Sequence, residues 1–261
     1  MPYPSDLSDQ QWQILEPLLP DQKPGGRKRR VDLRAVCNAI FYHLKTGCQW
    51  RMLPSEFPPY STVYFYYRSW QVEGVWSRIN QTLIRQRREH VGKHPLPTVV
   101  AVDSQSVKTT EKRGVYGFDG GKKVKGRKRH IIVDSLGQML KVIVTEANGS
   151  DRVGAAYGLM QWRDHYPEMV ENVHTVLADA GYRGDRFRLW VWSLVQAAVE
   201  IRENLKGEFE VVAKPWVVEC TFGWLNVYRR LSKDYELLPE VSESAIYAVM
   251  VHLTLRYLAP A

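Results

Sequence analysis

Cysteine is scarce. Three occur in 261 residues, Cys37, Cys48 and Cys220, and none forms a CxxC pair. An odd, scattered set excludes a disulfide framework and fits a reducing compartment, and the three read as small apolar residues. Long apolar runs are also missing. No segment approaches the roughly 18 apolar residues of a membrane span. The start, MPYPSDLSDQQW, lacks the basic-then-apolar order of a secretory signal. A cytoplasmic location with no membrane partner is therefore expected. Acid is in deficit too: 36 Lys and Arg face 28 Asp and Glu, a net charge of +8. That balance favours a polyanionic partner. What remains is 44% hydrophobic and 11% aromatic, enough for a real core, so global disorder is excluded.

The first third reads as helical. Ser8 and Gln11 form a capping box, with Leu7 and Trp12 placed as a staple and Trp12, Leu15 and Leu19 on one face. A Pro/Gly/basic connector, PDQKPGGRKRR, spans 20–30. Leu33, Val36, Cys37, Ile40, Phe41 and Leu44 recur at helical spacing, and Gly47 is suited to the residue after that helix. After the Pro-rich turn at 53–60, Ser61 can cap a third helix carrying Tyr64, Phe65, Tyr67 and Trp70, broken near Gly74. A fourth is expected from 75 to 90, with Trp76, Ile79 and Leu83 inward and Arg78, Arg85, Arg87 and Arg88 mostly outward. This suits either a small all-α helix-turn-helix-like DNA-binding domain over 1–92 or a helical bundle with a solvated charged face.

GKHPLP at 92–97 reads as a linker. Beyond it strands are expected at 98–103, 129–134 and 139–146, with SLG at 135–137 turning between the last two. Helices at 151–165 and 183–195, strands at 173–178 and 197–202, a helix bearing Glu219, and a final helix at 242–258 complete an α/β pattern. In the final helix, Ile246, Val249, Met250, Leu253 and Tyr257 form a packed stripe.

Two β-branched runs end on an acid: Asp103 in VVAVDSQSVK and Asp179 in VHTVLADAGYRG. Glu219 follows on the helix WVVECTFGWLNVYRRL. Side chains at strand ends reach the crevice where α/β folds bind ligands. Three gathered carboxylates repel one another, and Mg²⁺ relieves that repulsion because it prefers carboxylate oxygen. Two such ions clamp the attacking and leaving oxygens of a displacement at phosphorus. Each acid also has an ordinary reading as a turn cap or surface residue. Asp134, Asp151, Asp185 and Glu146 compete with them, and Asp134 also ends a strand. A haloacid-dehalogenase-type phosphatase needs a second Asp two positions after the first, and position 105 is Gln.

Cations concentrate in KKVKGRKR, where Lys122, Lys123, Lys125, Arg127, Lys128 and Arg129 occupy six of eight positions. They are expected to contact a DNA backbone, a salt-dependent interaction. Lys108 and Arg183 flank the two aspartates and are further phosphate-contact candidates. Trp216, Phe222 and Trp224 read as core residues, with stacking on a displaced base as the alternative.

At these residues the chain resembles the Asp-Asp-Glu transposases of bacterial insertion sequences, and more narrowly the family founded on insertion sequence five. The resemblance rests on TGCQWRMLPSEFPPYSTVYFYYRSW (46–70), VDSQSVKT (102–109), GFDGGKKVKGRKRHIIVDSLG (117–137), LADAGYRG (177–184) and WVVECTFGWLNVYRRLSKDYE (216–236). It implies a ribonuclease-H-like mixed sheet flanked by helices over 93–261. It also implies catalysis and metal binding by Asp103, Asp179 and Glu219, and Mg²⁺-dependent cleavage with two ions, Mn²⁺ substituting. The 3′-hydroxyl is then joined to target DNA, and the helical region binds the terminal inverted repeats. A homo-oligomer on DNA and nucleoid association accompany this reading. The family usually has Arg after the glutamate, where this chain has Cys220. Pro215 and Asn226 stand where basic residues are expected, and Arg229 and Arg230 are placed to compensate. The alternatives are a metal-dependent nuclease without strand transfer and a catalytically impaired DNA-binding regulator.

Overall fold

The Ser8 hydroxyl accepts from the Gln11 amide while the Gln11 side chain accepts from the Ser8 amide, closing the box that starts α1 (Asp9–Leu15). The computed structural model describes residues 3–22, 25, 28–110, 114–202 and 216–260; Pro215 and part of the 20–30 connector lie outside them. Asp32 caps α2 (Leu33–Thr46), whose Val36, Cys37, Ile40, Phe41 and Leu44 are buried as their spacing requires. Gly47 ends it at φ 72°. The third helix departs from expectation. α3 (Tyr60–Val72) has Pro59 at its N-cap, so Ser61 falls inside the first turn and caps nothing. Tyr67 and Trp70 face the core, whereas Tyr64 and Phe65 face outward.

α4 (Val75–His90) buries Trp76, Ile79 and Leu83. It is also pinned by polar groups. Asn80 and Gln81 donate to the Met139 and Leu140 carbonyls at 2.7 and 2.6 Å. Arg88, expected outside, is buried. Its guanidinium meets the equally buried Asp134 carboxylate at 2.6 Å and donates to the His94 carbonyl. Asp134 in turn accepts from the Leu136 and Gln138 amides. That occupation takes it out of the contest for the catalytic role.

The sheet comprises β1 (Val99–Lys108), β2 (Gly117–Asp119), β3 (Val124–Asp134), β4 (Met139–Glu146), β5 (Thr175–Ala178) and β6 (Ala198–Ile201). β3 is antiparallel to β1, and β2 and β4 share the far edge of β3. β5 runs parallel to β1 and β6 parallel to β5. A three-strand antiparallel meander continued by two parallel strands is the ribonuclease-H-like arrangement. α5 (Asp151–His165), the short α6 (Pro167–Val170) and α7 (Asp185–Val195) cover one face, around Val100, Val102, Ile132, Leu140, Val176 and Ala178. The alternate residues Ala101, Ile131, Val133 and Leu177 join α8 (Trp216–Asn226) and α9 (Pro239–Leu258) on the other. α9 is buried nearly all round rather than along a stripe, because it lies between α4 and β4. One hydrophobic cluster runs from Leu7 through the sheet to Leu255. Among the described residues no helix is long and apolar enough to cross a membrane.

Candidate active site

Asp103 does not end its strand. β1 continues to Lys108, hydrogen-bonded to β3 throughout. What ends is its other neighbour: β5 pairs with β1 only from Val99↔Thr175 to Ala101↔Leu177. Two residues further on, Asp103 stands level with Asp179, just beyond the end of β5. The alternation that puts Ala101 and Leu177 on the α8 face puts both aspartates there as well. Val218 anchors α8 in the same core, which brings the adjacent Glu219 over the sheet. Asp103, Asp179 and Glu219 line one cavity of about 410 Å³, together with Arg183 and Arg202.

The carboxylates differ in setting. Asp103 is half-buried, whereas Asp179 and Glu219 are exposed. The Ser104 amide donates to Asp103 at 2.7 Å and the Gly181 amide donates to Asp179 at 2.9 Å. Burial pushes the Asp103 carboxyl up to about 6; Asp179 and Asp151 push the same way, while the Ser104 amide and Lys122 oppose them. Behind Asp103, on the opposite face of β1, lies a polar network. Ser104 donates to Asp151 at 2.8 Å, and the Lys128 ammonium bridges Asp151 at 2.9 Å and Asp119 at 3.3 Å. Burial works against the charge on Asp151, but Lys128 and Ser104 hold its carboxyl below the usual range. Glu146 and Asp185 are exposed away from this cavity.

The donor set suits a hard divalent cation. It is all oxygen, and a bound cation would offset the burial and the Asp179 repulsion that disfavour the ionised Asp103. Among the described residues no three donors already enclose an ion. Mg²⁺ keeps several waters and shares substrate phosphate oxygens, so two carboxylates per ion suffice.

The basic residues divide. Lys108, Lys122, Lys123, Lys125, Arg183 and Arg229 are exposed. Lys122 also donates to the Ser104 carbonyl at 2.7 Å, and Lys125 lies over the Tyr116 ring. Arg127, Lys128 and Arg129 are corrected: their side chains are buried. Arg127 pairs with Asp234 at 3.2 Å and donates to the Glu236 and Leu237 carbonyls, tying β3 to the chain before α9. Burial pulls Arg129 down to about 10, and it reaches Gln105. Charge clustering is blind to the alternation of a strand buried on both faces, which turned these cations inward. Arg230 is half-buried against Glu236 at 2.6 Å. Cys220 is half-buried and Asn226 exposed.

Arg202 was missed. It follows β6, whose register Ala178↔Ile201 sets it level with Asp179. A cation ending the strand expected at 197–202 was the available signal.

Residues 94–253 match the family model described as "Transposase DDE domain", and residues 7–80 match "Putative transposase of IS4/5 family". Two curated proteins of Burkholderia cepacia are similar. "Insertion element IS402 uncharacterized 16.2 kDa protein" is 39% identical over 88 residues, covering 31% of this chain and 60% of that protein. "Putative transposase for insertion sequence element IS402" is 29% identical over 117 residues, covering 42% and 54%. The chain thus spans less than two thirds of either relative's length. A solved structure, "Crystal structure of the Mos1 mariner paired end complex with Mn", matches 92% of this chain and 80% of that one at 12% identity, with a TM-score of 0.32, too low to bear on the fold. The first family model covers more than half of the chain, which therefore belongs to the DDE-domain transposases.

Proposed function

We propose that this family member is a DNA transposase. It binds the ends of an insertion sequence, cleaves them by Mg²⁺-dependent phosphoryl transfer and joins the 3′-hydroxyl to target DNA. The observation that carries this reading is the single cavity in which Asp103, Asp179 and Glu219 meet beside Arg183 and Arg202. Asp103 and Asp179, with Glu219 closing from α8, hold the ions. When bound, Mg²⁺ activates the attacking oxygen and stabilises charge on the phosphoryl group. The protein supplies the rest. β1 and β5 fix two carboxylates on a rigid sheet, and the Ser104 and Gly181 amides orient them. Arg183 and Arg202 favour a phosphate at the cavity.

The exposed Lys108, Lys122, Lys123, Lys125 and Arg229 line up as backbone contacts. Residues 1–92 take the role of end recognition and 93–261 that of chemistry, a division of roles within one packed body. Joining two ends requires at least two copies on DNA. Action on nucleoid DNA implies a cytoplasmic protein.

The test combines purified protein, the element's end DNA, a target plasmid and Mg²⁺. Joined products are expected from the parent. Asp103→Asn, Asp179→Asn and Glu219→Gln should each reduce cleavage at least 100-fold, on the order of the roughly 3 kcal/mol that a lost electrostatic stabiliser costs, while retaining end binding. Nicks without joining would make the chain a nuclease. Tight binding with neither product would make it a regulator.

A further inference from the structure

A second groove lies apart from the acidic cavity, and the function above does not use it. It measures about 810 Å³ and is lined by Trp50, Arg51, Tyr60, Tyr64, Arg230 and Tyr235, among others. Four of these belong to the stretch TGCQWRMLPSEFPPYSTVYFYYRSW singled out in the sequence. The other two come from the segment between α8 and α9.

Its aromatic walls are built for presentation. Trp50 stacks on the buried His43 ring, with centroids 3.7 Å apart and planes 17° apart. Tyr64 meets the Trp50 ring edge-on at 5.6 Å. Tyr60 and Tyr64 are each 43% exposed, so both side chains are accessible from the groove. Arg51 lies over the Tyr60 ring at 5.9 Å and Arg230 over Tyr235 at 5.1 Å. Arg230 is held by Glu236, whereas Arg51 is exposed and has no carboxylate partner among the described residues. Accessible aromatic rings beside a guanidinium with no carboxylate partner among the described residues match a ligand with flat rings joined by phosphates. Bases within a duplex already have both faces stacked, so they have none to offer Tyr60 or Tyr64.

We propose that this groove is a subsite for unpaired bases of single-stranded DNA, with Arg51 taking an adjoining phosphate. The assignment rests on the proposed function only for its place in the reaction. Thr110, on the groove wall, lies seven residues beyond Asp103 along β1 and its extension. At about 3.3 Å per residue that is roughly 23 Å, at most about seven nucleotides at the stacked rise of 3.4 Å. The subsite therefore engages the strand within about seven nucleotides of the proposed cleavage point, where the end must open.

The full chain in EDTA, titrated with fluorescein-labelled dT12 and with a 12-bp duplex, tests this. Tyr64→Ala and Arg51→Ala should each weaken dT12 binding about tenfold, from the loss of one stacked base or its phosphate, and leave duplex binding within about twofold. Tyr64→Phe should bind dT12 like the parent, because stacking uses the ring and not the hydroxyl. Equal circular dichroism and thermal midpoints identify variants that remain folded, as expected for exposed side chains. Iodouracil-substituted dT12 should cross-link within residues 50–64. Parent-like dT12 affinity in both Ala variants overturns the assignment. So does equal loss of duplex binding, or a change in self-association without a change in dT12 binding. Failure of the Asp103, Asp179 and Glu219 variants to alter cleavage would remove the transposase reading and leave this subsite standing. Normal transposition chemistry with indifferent groove variants would do the reverse.

Discussion

Replacing Asp103 by Asn isolates the charge at the centre of the proposed site. In the metal-free fold, burial first and then Asp179 raise its carboxyl from 3.8 to about 6. The folded state therefore keeps the proton where the unfolded chain has lost it. Stability falls as pH rises from about 3.8 to about 6, and the loss is complete above that window. At about 1.4 kcal/mol per pH unit, the ionised carboxylate costs the native state about 3 kcal/mol at neutral pH. Asn resembles the protonated acid and can still accept from the Ser104 amide. In EDTA at pH 8, Asp103→Asn should therefore be more stable than the parent by about 2–3 kcal/mol. That is about 4–12 °C in Tm for a chain of this size. The advantage should shrink through pH 6 and vanish near pH 4. Added Mg²⁺ should erase most of that advantage, since an ion present at 100 times its Kd contributes about 2.7 kcal/mol to the parent and less to the variant. Urea unfolding at pH 4, 6 and 8, with EDTA or Mg²⁺, reads all of this. If Asp103→Asn is no more stable than the parent in EDTA at pH 8, or if its advantage is flat with pH, the reasoning fails.

Arg88→Met leaves Asp134 charged and buried and should cost about 3–5 kcal/mol in urea unfolding. Adding Asp134→Asn should recover most of it, and a double variant no better than the single would refute the pairing. Burial lowers His252 to about 3, with Arg256 and Lys45 adding to it. Its contribution is present above pH 6.5 and is lost as pH falls toward 3. His252→Phe, which keeps a ring against Phe41, should flatten the fall in stability between pH 6.5 and 4 by up to about 1.4 kcal/mol per pH unit; parallel curves would count against it. A Cβ at Gly154 would collide with the buried His130 ring, so Gly154→Ala should lower stability by at least about 1–3 kcal/mol, read as a drop in Tm. End-DNA affinity should fall steeply with salt, by a log–log slope near one for each phosphate the protein neutralises, and a flat response would remove the exposed lysines from the interface.

Local order was legible wherever a short-range rule decided it. The Ser8 box, the α2 stripe, Gly47 and the turn after Asp134 follow from neighbours a few residues apart, and the structure repeats them. Ser61 misled because Pro59, two residues earlier, started the helix first. Charge misled in two places. KKVKGRKR and Arg88 read as surface, but β3 is covered on both faces and α4 lies against a strand end. A long cationic side chain goes inward when a carboxylate or carbonyl waits there, and Asp234 and Asp134 are 107 and 46 residues away from Arg127 and Arg88.

The sequence by itself determined the ingredients: the main helices and parts of five of the six described strands, a basic surplus, and three acids each set beside β-branched or apolar residues. Only the tertiary structure decided that Asp103 sits in mid-strand, where β5 stops, and that Arg202 and Glu219 reach the same cavity. Register and chain crossing bring these groups together. They depend on which apolar faces bury against each other across the whole molecule, a choice made by the summed packing of distant segments that no local pattern records.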